Sequence, residues 1–160
     1  MKRLVVIIAL SLMALTAKAQ LYVGGGIAAS FSRTCTASVF PEVGYNLNDN
    51  MAVGGALGLH FGNGTSLSID PYFRYYFAEL GPARFFADGH FNFTVGPKYT
   101  DEYDNVQTYT AWGIGIRPGV AFELSDRFSL VTHLAQIGYY GGEFGINLNP
   151  GFVVGLIYNF

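Results

Sequence analysis

The chain has 160 residues, a formal net charge of −2 and a single cysteine, Cys35. These values exclude a basic nucleic-acid-binding protein and an intrachain disulfide framework. Only 12% of the residues are charged, whereas Gly (21), Phe (14) and Tyr (11) are abundant, so the placement of the apolar residues along the chain decides the class of protein.

Residues 1–19 have the three parts of a secretory signal peptide: a basic start, an apolar run and a small-residue A-x-A site. An N-terminal membrane anchor is disfavoured, because a spanning helix needs ~20 apolar residues. A lipoprotein signal is disfavoured because Cys35 is not near the cleavage site. We therefore expect cleavage before Gln20 and one domain over residues 20–160.

The exported part alternates between apolar and polar or small residues with period two, which predicts β-strands. We predict eight strands, at Leu21–Ser32, Ala37–Leu47, Met51–Phe61, Ser66–Phe77, Arg84–Val95, Thr108–Phe122, Arg127–Gly138 and Phe144–Phe160. The seventh is the least regular, because apolar residues occupy both parities; we place His133 inside. Pro71 faces outward in the fourth and lacks an N–H, so we expect a bulge or a missing ladder bond there.

The seven connections alternate between short and long, as in an up-and-down barrel with two different rims. We expect the tight turns near Asn48, Leu80 and Ser125 to lie at the periplasmic rim with both termini. The links near Arg33, Asn63, Tyr103 and Gly141 would then face outward. The longest polar stretch, residues 96–106, is predicted as an exposed loop, suited to adhesion or simply to solvation. Cys35 also falls in a predicted outer loop, as an incidental free thiol.

Large apolar residues occupy the outward parity and polar ones the inward parity. A soluble, lipocalin-like ligand-binding barrel would have the reverse arrangement. We therefore predict an all-β fold, an eight-stranded antiparallel up-and-down transmembrane β-barrel. The predicted polar network of its lumen consists of Glu42, His60, Asp70, Arg74, Arg84, Asp88, His90, Arg117 and His133.

An eight-stranded barrel is just wide enough for side chains to fill its interior. We expect these inward charges to pair across strands, which offsets their desolvation. The pairing would close the lumen to solutes, with gaps beside the four inward glycines Gly24, Gly54, Gly113 and Gly155.

The last predicted strand ends in a row of apolar residues at alternate positions, Phe152, Val154, Leu156, Tyr158 and Phe160. A terminal Phe with this row before it resembles the closing-strand signal by which outer-membrane β-barrels are recognised by their assembly machinery.

Five segments together resemble the family of small eight-stranded outer-membrane β-barrels, similar in build to the OmpA transmembrane domain and to OmpX. They are the signal ending AKA, PEVGYNLNDNMAVGGALGL, DPYFRYYF, GIRPGVAFELSDRFSL and NLNPGFVVGLIYNF. The resemblance implies an integral outer-membrane location, contact with membrane lipids and lipopolysaccharide, and an extracellular ligand at the outer loops. It leaves the activity open, because the family includes adhesins, structural barrels, narrow channels and lipid-modifying enzymes.

We expect a non-enzymatic barrel that contributes to envelope integrity or to adhesion; the alternatives are a lipid A deacylase or acyltransferase, or a narrow channel. By resemblance to lipid A deacylase barrels, such an enzyme would need a His followed two residues later by a nucleophilic Ser. Here His133 is followed by Ala135. His60 and His90 have Ser66, Ser68 and Asp70 as possible neighbours, but no spacing fixes a triad. No cofactor or metal is predicted, because the acids of the long loop lack a ligand spacing.

Overall fold

The computed structural model describes residues 20–31, 35–62, 64–99, 106–148 and 152–160; the predicted signal peptide lies outside these ranges. The described residues form ten β-strand segments: β1 (Gln20–Phe31), β2 (Cys35–Asn48), β3 (Met51–Gly62), β4 (Gly64–Leu80), β5 (Ala83–Tyr99), β6 (Val106–Glu123), β7 (Phe128–His133), β8 (Gln136–Tyr140), β9 (Glu143–Asn147) and β10 (Phe152–Asn159). In this part of the chain, no helix is long and apolar enough to cross a membrane.

The ten segments close into an antiparallel barrel with eight strand positions, which confirms the predicted fold class. β1 to β6 pair in sequence order, β7 and β8 both pair with β6, and β10 pairs with β7 and β1. The seventh predicted strand therefore consists of β7 and β8, and the eighth consists of β9 and β10. Several strands extend beyond their predicted ends, and β5 enters the predicted loop as far as Tyr99.

Three prolines on the outward parity coincide with gaps in the strand ladders. The β2–β3 ladder skips Pro41, and the β4–β5 ladder skips Pro71, as predicted for Pro71. Pro118 lies between the part of β6 that pairs with β7 and the part that pairs with β8. Its carbonyl accepts a hydrogen bond of 2.9 Å from the Leu134 N–H. Because proline has no N–H to donate, each one removes a ladder bond.

The break between β7 and β8 explains why both parities of the seventh strand carry apolar residues. In β7, Val131 is buried and His133 faces the lumen, whereas Phe128 is exposed. In β8 the parity has changed, since Ile137 pairs with the outward Ile116 and Tyr140 points inward to His90. The two competing patterns therefore belong to two different segments.

The barrel is apolar outside, and its interior holds buried polar and charged side chains together with an apolar cluster. In β4 the exposed residues include Leu67, Ile69 and Phe73, whereas the alternate positions Asp70 and Arg74 are buried. This arrangement suits a lipid environment, because every backbone polar group of a closed barrel can be paired between strands.

Large aromatic side chains inside the lumen lie over glycines of neighbouring strands. A Cβ placed on Gly44 would lie 2.1 Å from Cζ of Tyr22, and one on Gly54 would lie 2.6 Å from Cζ of Tyr72. Gly113 is covered in the same way by Tyr140. The expected gaps beside Gly54 and Gly113 are therefore filled by rings. The space beside Gly24 is occupied by the Glu42 carboxylate and Ile157, whereas Gly155 borders a cavity of the lumen.

Candidate functional site

The middle of the lumen is filled by a group of buried residues that we call the central layer. Its members come from β1, β3, β4, β5, β6, β7 and β10 and are Tyr22, Ala52, Arg74, Phe86, Asp88, Ala121, Val131 and Ile157. The side chains of Tyr22, Arg74, Phe86 and Asp88 are almost completely buried. The layer therefore combines an apolar cluster with an ion pair.

The ion pair joins Arg74 of β4 to Asp88, its directly opposite partner on β5. The Arg74 Nε and Nη2 atoms donate to the two Asp88 carboxylate oxygens at 2.7 and 2.9 Å. The guanidinium carbon lies 4.1 Å from the centroid of the Phe86 ring. His133 adds a third bond, since its Nε2 lies 2.9 Å from Asp88 Oδ2. Such bidentate geometry offsets the desolvation of both charges.

A second cluster surrounds Asp70. Arg117 donates to both of its carboxylate oxygens at 3.0 Å. His90 Nδ1 lies 3.2 Å from each of the same oxygens, and Asn92 donates at 3.4 Å. The other ring nitrogen of His90 lies 2.7 Å from the Tyr140 hydroxyl. This cluster connects β4, β5, β6 and β8 across the lumen.

Glu42 stands apart from both ion pairs. The Tyr72 hydroxyl donates to Glu42 Oε2 at 2.8 Å, and the Tyr22 hydroxyl lies 2.8 Å from that of Tyr72. In the part of the chain that the structure describes, no Arg or His nitrogen forms an ion pair with Glu42. Its carboxylate therefore has a hydrogen bond but no counter-charge.

His60 bridges two serines. Its Nδ1 lies 2.9 Å from Ser38 Oγ and its Nε2 lies 2.8 Å from Ser68 Oγ. A neutral imidazole donates at one nitrogen and accepts at the other, so one serine donates to the ring and the other accepts from it. With both nitrogens engaged by hydroxyls, the ring has no carboxylate to orient it in the manner of a Ser-His-Asp triad.

Arg84 lies away from the other predicted lumen residues. Its Nε donates to Glu79 at 2.7 Å, its Nη2 donates to the Asp49 carbonyl, and its Nη1 lies 3.6 Å from Glu123. These partners lie beside the short turns, at the end of the barrel that also holds both ends of the described chain. We call this end the turn end and the opposite one the loop end. Arg84 therefore links connections at a rim.

Two cavities lie on either side of the central layer. The cavity towards the loop end, which we call the outer cavity, has a volume of about 330 Å³ and is bordered by Glu42, His60, Asp70, Arg117 and His133 among others. The cavity towards the turn end measures about 270 Å³ and is bordered by Tyr22, Arg84, Glu123 and Asp126 among others. Arg74, Asp88 and Val131 line the first, whereas Tyr22, Ala121 and Ile157 line the second. The central layer thus separates the two cavities.

Several residues of the site were not singled out from the sequence. Tyr22 and Phe86 share the inward parity of the predicted Gly24 and Asp88, so the period-two pattern could have found them. Ser38 and Tyr140 depend on contacts to His60 and His90 on other strands, for which the sequence carries no local signal. In the described residues, no group of three or more His, Cys, Asp or Glu side chains is arranged to hold a metal ion.

Four residues of the predicted C-terminal row, Val154, Leu156, Tyr158 and Phe160, lie on the outward parity of the last strand, and the row ends with Phe160 at the turn end; the side chain of Phe152 lies outside the described part of the structure. The rings of Tyr158 and Phe160 lie 5.1 Å apart, as do those of Tyr158 and Phe128. The Phe160 N–H donates to the Leu21 carbonyl at 3.1 Å, yet the Phe160 side chain is 65% exposed. The last residue is thus joined to the first strand while its ring faces outward.

Comparisons with known proteins agree with this architecture. The N-terminal β-barrel domain of OprF from Pseudomonas aeruginosa has a TM-score of 0.64 and 16% identity, with 89% of this chain and 96% of that chain covered. Neisserial surface protein A (NspA) has a TM-score of 0.63 and 14% identity, with 89% of this chain and 97% of that chain covered. Ail of Yersinia pestis has a TM-score of 0.53 and 10% identity, with 89% of this chain and 100% of that chain covered. Because these identities are low, the similarity to these three proteins shows a shared fold and nothing further.

No curated protein sequence matches the chain. A family model described as "Outer membrane protein beta-barrel domain" matches residues 4–160, which is nearly the whole sequence. Together with the closed barrel and its apolar exterior, this match means that the chain belongs to the outer membrane protein beta-barrel domain family and is an integral protein of the outer membrane.

Proposed function

We propose that this protein is a non-enzymatic outer-membrane barrel that is closed to solutes and that contributes to envelope integrity or to binding through its outer loops. The central layer is the observation that carries the proposal. It fills the lumen between the two cavities with an apolar cluster and the paired charges of Arg74 and Asp88. A permeating ion would have to displace this packing and break the pair, which costs several kcal/mol in a low-dielectric interior.

The histidine environments support a non-enzymatic role over the lipid A-modifying alternative. Covalent catalysis needs a nucleophile activated by an oriented base. His133 is bonded to Asp88, and Ala135 stands where the serine of a deacylase would be. His60 has serines at both nitrogens, and Ser68 is 3% exposed. Neither histidine therefore combines an accessible nucleophile with an orienting carboxylate.

Two partners belong to the proposal. The exposed Phe160 at the end of its apolar row suits recognition by the barrel-assembly machinery through the C-terminal strand. An extracellular ligand would meet the links at the loop end; the central residues of three of them lie outside the described ranges, and the fourth is the turn at Gly141 and Gly142. As an integral protein of the outer membrane, the barrel is surrounded by lipids and lipopolysaccharide.

Conductance measurements test the closed lumen. We expect the purified protein to give no stable single-channel currents in planar bilayers, because the central layer excludes ions. A Tyr22→Ala/Phe86→Ala variant should conduct if it still folds, since both rings lie in the layer. Phe144→Ala, which removes an exposed ring from β9, is the matched control and should stay closed. Steady currents from the unmodified protein would favour the channel.

A lipid A assay tests the enzymatic alternative. We expect no deacylation, and no acyl transfer from phospholipid, when the purified protein is incubated with lipid A and phospholipid in mixed micelles. Cleavage that disappears in a His133→Ala or a His60→Ala variant would place the protein among the enzymes instead. The envelope role is measured separately, by uptake of an impermeant dye in cells that lack the protein and in cells that carry it.

A further inference from the structure

The outer cavity has an unequal balance of charges. Three carboxylates border it, those of Glu42, Asp70 and Asp88, but only two guanidiniums, those of Arg74 and Arg117. Asp88 is paired with Arg74, and Asp70 is paired with Arg117. Glu42 is therefore the bordering carboxylate that has no Arg or His ion-pair partner among the described residues.

The same cavity has an apolar side. Phe40, Ala56, Val131 and Val153 border it, and three further bordering positions, Gly26, Gly58 and Gly155, have no side chain to fill it. Its volume of about 330 Å³ lies at the lower end of the range for small-molecule sites. The cavity is thus large enough for a molecule of a few heavy atoms and offers that molecule both apolar contacts and one carboxylate.

The hydrogen-bonding groups around the cavity narrow the choice of ligand. Asp70 already receives bonds from Arg117, His90 and Asn92, and both nitrogens of His60 are engaged. Among the described residues, Glu42 receives a hydrogen bond only from the Tyr72 hydroxyl, at its Oε2 atom. An anion would be repelled by the Glu42 carboxylate, whereas a protonated amine would be attracted by it and would donate to it, giving a charge-assisted hydrogen bond.

We propose that the outer cavity is a binding site for a small organic cation, a primary ammonium on a short apolar chain, with Glu42 as its counter-ion. The apolar chain lies against Phe40 and the valines. His60 borders both this cavity and a second space of about 370 Å³ at the loop end, so the ligand enters from that end past the His60 side chain. The central layer closes the other side, so the cation binds without crossing the barrel.

The test uses the whole barrel in detergent micelles or nanodiscs, with n-butylammonium chloride as the probe and amide chemical shifts as the readout. We expect saturable shifts at residues around the outer cavity, and at least a tenfold weaker affinity in Glu42→Gln. Glu123→Gln, which removes a carboxylate from the other cavity, should bind like the unmodified protein. Sodium butyrate, which has the same chain length with the opposite charge, should give no saturable shifts.

A second variant keeps the carboxylate and removes the space. Ala56 lies opposite Glu42 in the β2–β3 ladder and borders the cavity, so Ala56→Leu should abolish butylammonium binding even if Glu42→Gln fails to fold. Absence of saturable shifts in the unmodified protein would overturn the proposal. So would equal affinity in Glu42→Gln, undiminished binding in Ala56→Leu, or butyrate binding as tight as that of butylammonium.

Discussion

Arg74 and Asp88 face each other across β4 and β5 and form a bidentate ion pair in which both side chains are only 1% exposed. The pair lies in the same layer as the Tyr22 and Phe86 rings. An ion pair this deep in the lumen is stable only while both partners are present, because either charge alone would lose water without gaining a counter-charge.

Removal of one partner should therefore destabilise the barrel strongly. We expect Arg74→Met to lower the free energy of unfolding by ~3–5 kcal/mol, because it leaves the Asp88 carboxylate buried with only His133 as a partner. Urea unfolding of the refolded protein in lipid, followed by tryptophan fluorescence, gives the value.

The control for this experiment is the exposed pair of Arg84 and Glu79 at the turn end. Glu79 is 61% exposed in its side chain, so Glu79→Gln should cost no more than ~1 kcal/mol. The double variant Arg74→Met/Asp88→Leu should recover part of the loss. If Arg74→Met alone were as harmless as Glu79→Gln, the pair would contribute little to stability.

Because aromatic rings lie over some glycines and not over others, Ala substitutions at two glycines of neighbouring strands should differ in their effect on stability. A Cβ on Gly44 would lie 2.1 Å from the buried Tyr22 ring, whereas a Cβ on Gly55 meets no atom closer than 4.0 Å. We expect Gly44→Ala to destabilise by ~1–3 kcal/mol through overpacking, and Gly55→Ala to be neutral or slightly stabilising. Urea unfolding of both variants measures the difference, and equal effects would contradict the fit.

The outward face of the barrel predicts that the destabilisation caused by an Arg substitution depends on its depth in the membrane. Leu156 and Ile114 are exposed on the outward parity, and Arg at either position should destabilise by ~2–4 kcal/mol if it lies near the bilayer midplane. Leu80→Arg, at the turn end, should cost only about 0–1 kcal/mol. Brominated lipids should quench a fluorophore at position 156 and spare one at 155. Quenching at position 155 but not at position 156 would show that the inward and outward faces are assigned the wrong way round.

The position of Phe160 predicts an effect on assembly rather than on stability. Its ring is exposed at the end of the outward row, and its backbone N–H holds the first strand. Phe160→Asp should lower the yield of heat-modifiable barrel in the outer membrane, while the purified variant should refold in detergent. Phe144→Asp, at a position in β9 that is at least as exposed, is the control. A normal yield from Phe160→Asp would argue against an assembly signal.

The sequence by itself determined the strands and their two faces. In β4 the alternation of Leu67, Ile69 and Phe73 with Asp70 and Arg74 is a local pattern, because a strand turns successive side chains to opposite sides. The same pattern predicted a polar interior and an apolar exterior. At Pro71 the missing N–H predicted the interruption of a ladder, which is again a property of one residue.

The tertiary structure alone decided which charges meet. Asp88 stands opposite both Arg74 and Arg117 in the strand ladders, yet Arg117 reaches across to Asp70 and leaves Asp88 to Arg74 and His133. Likewise, Tyr140 meets His90 only because the break opposite Pro118 reverses the parity of β8. These contacts depend on barrel closure and on side-chain lengths across the lumen, which the alternation along one strand does not encode.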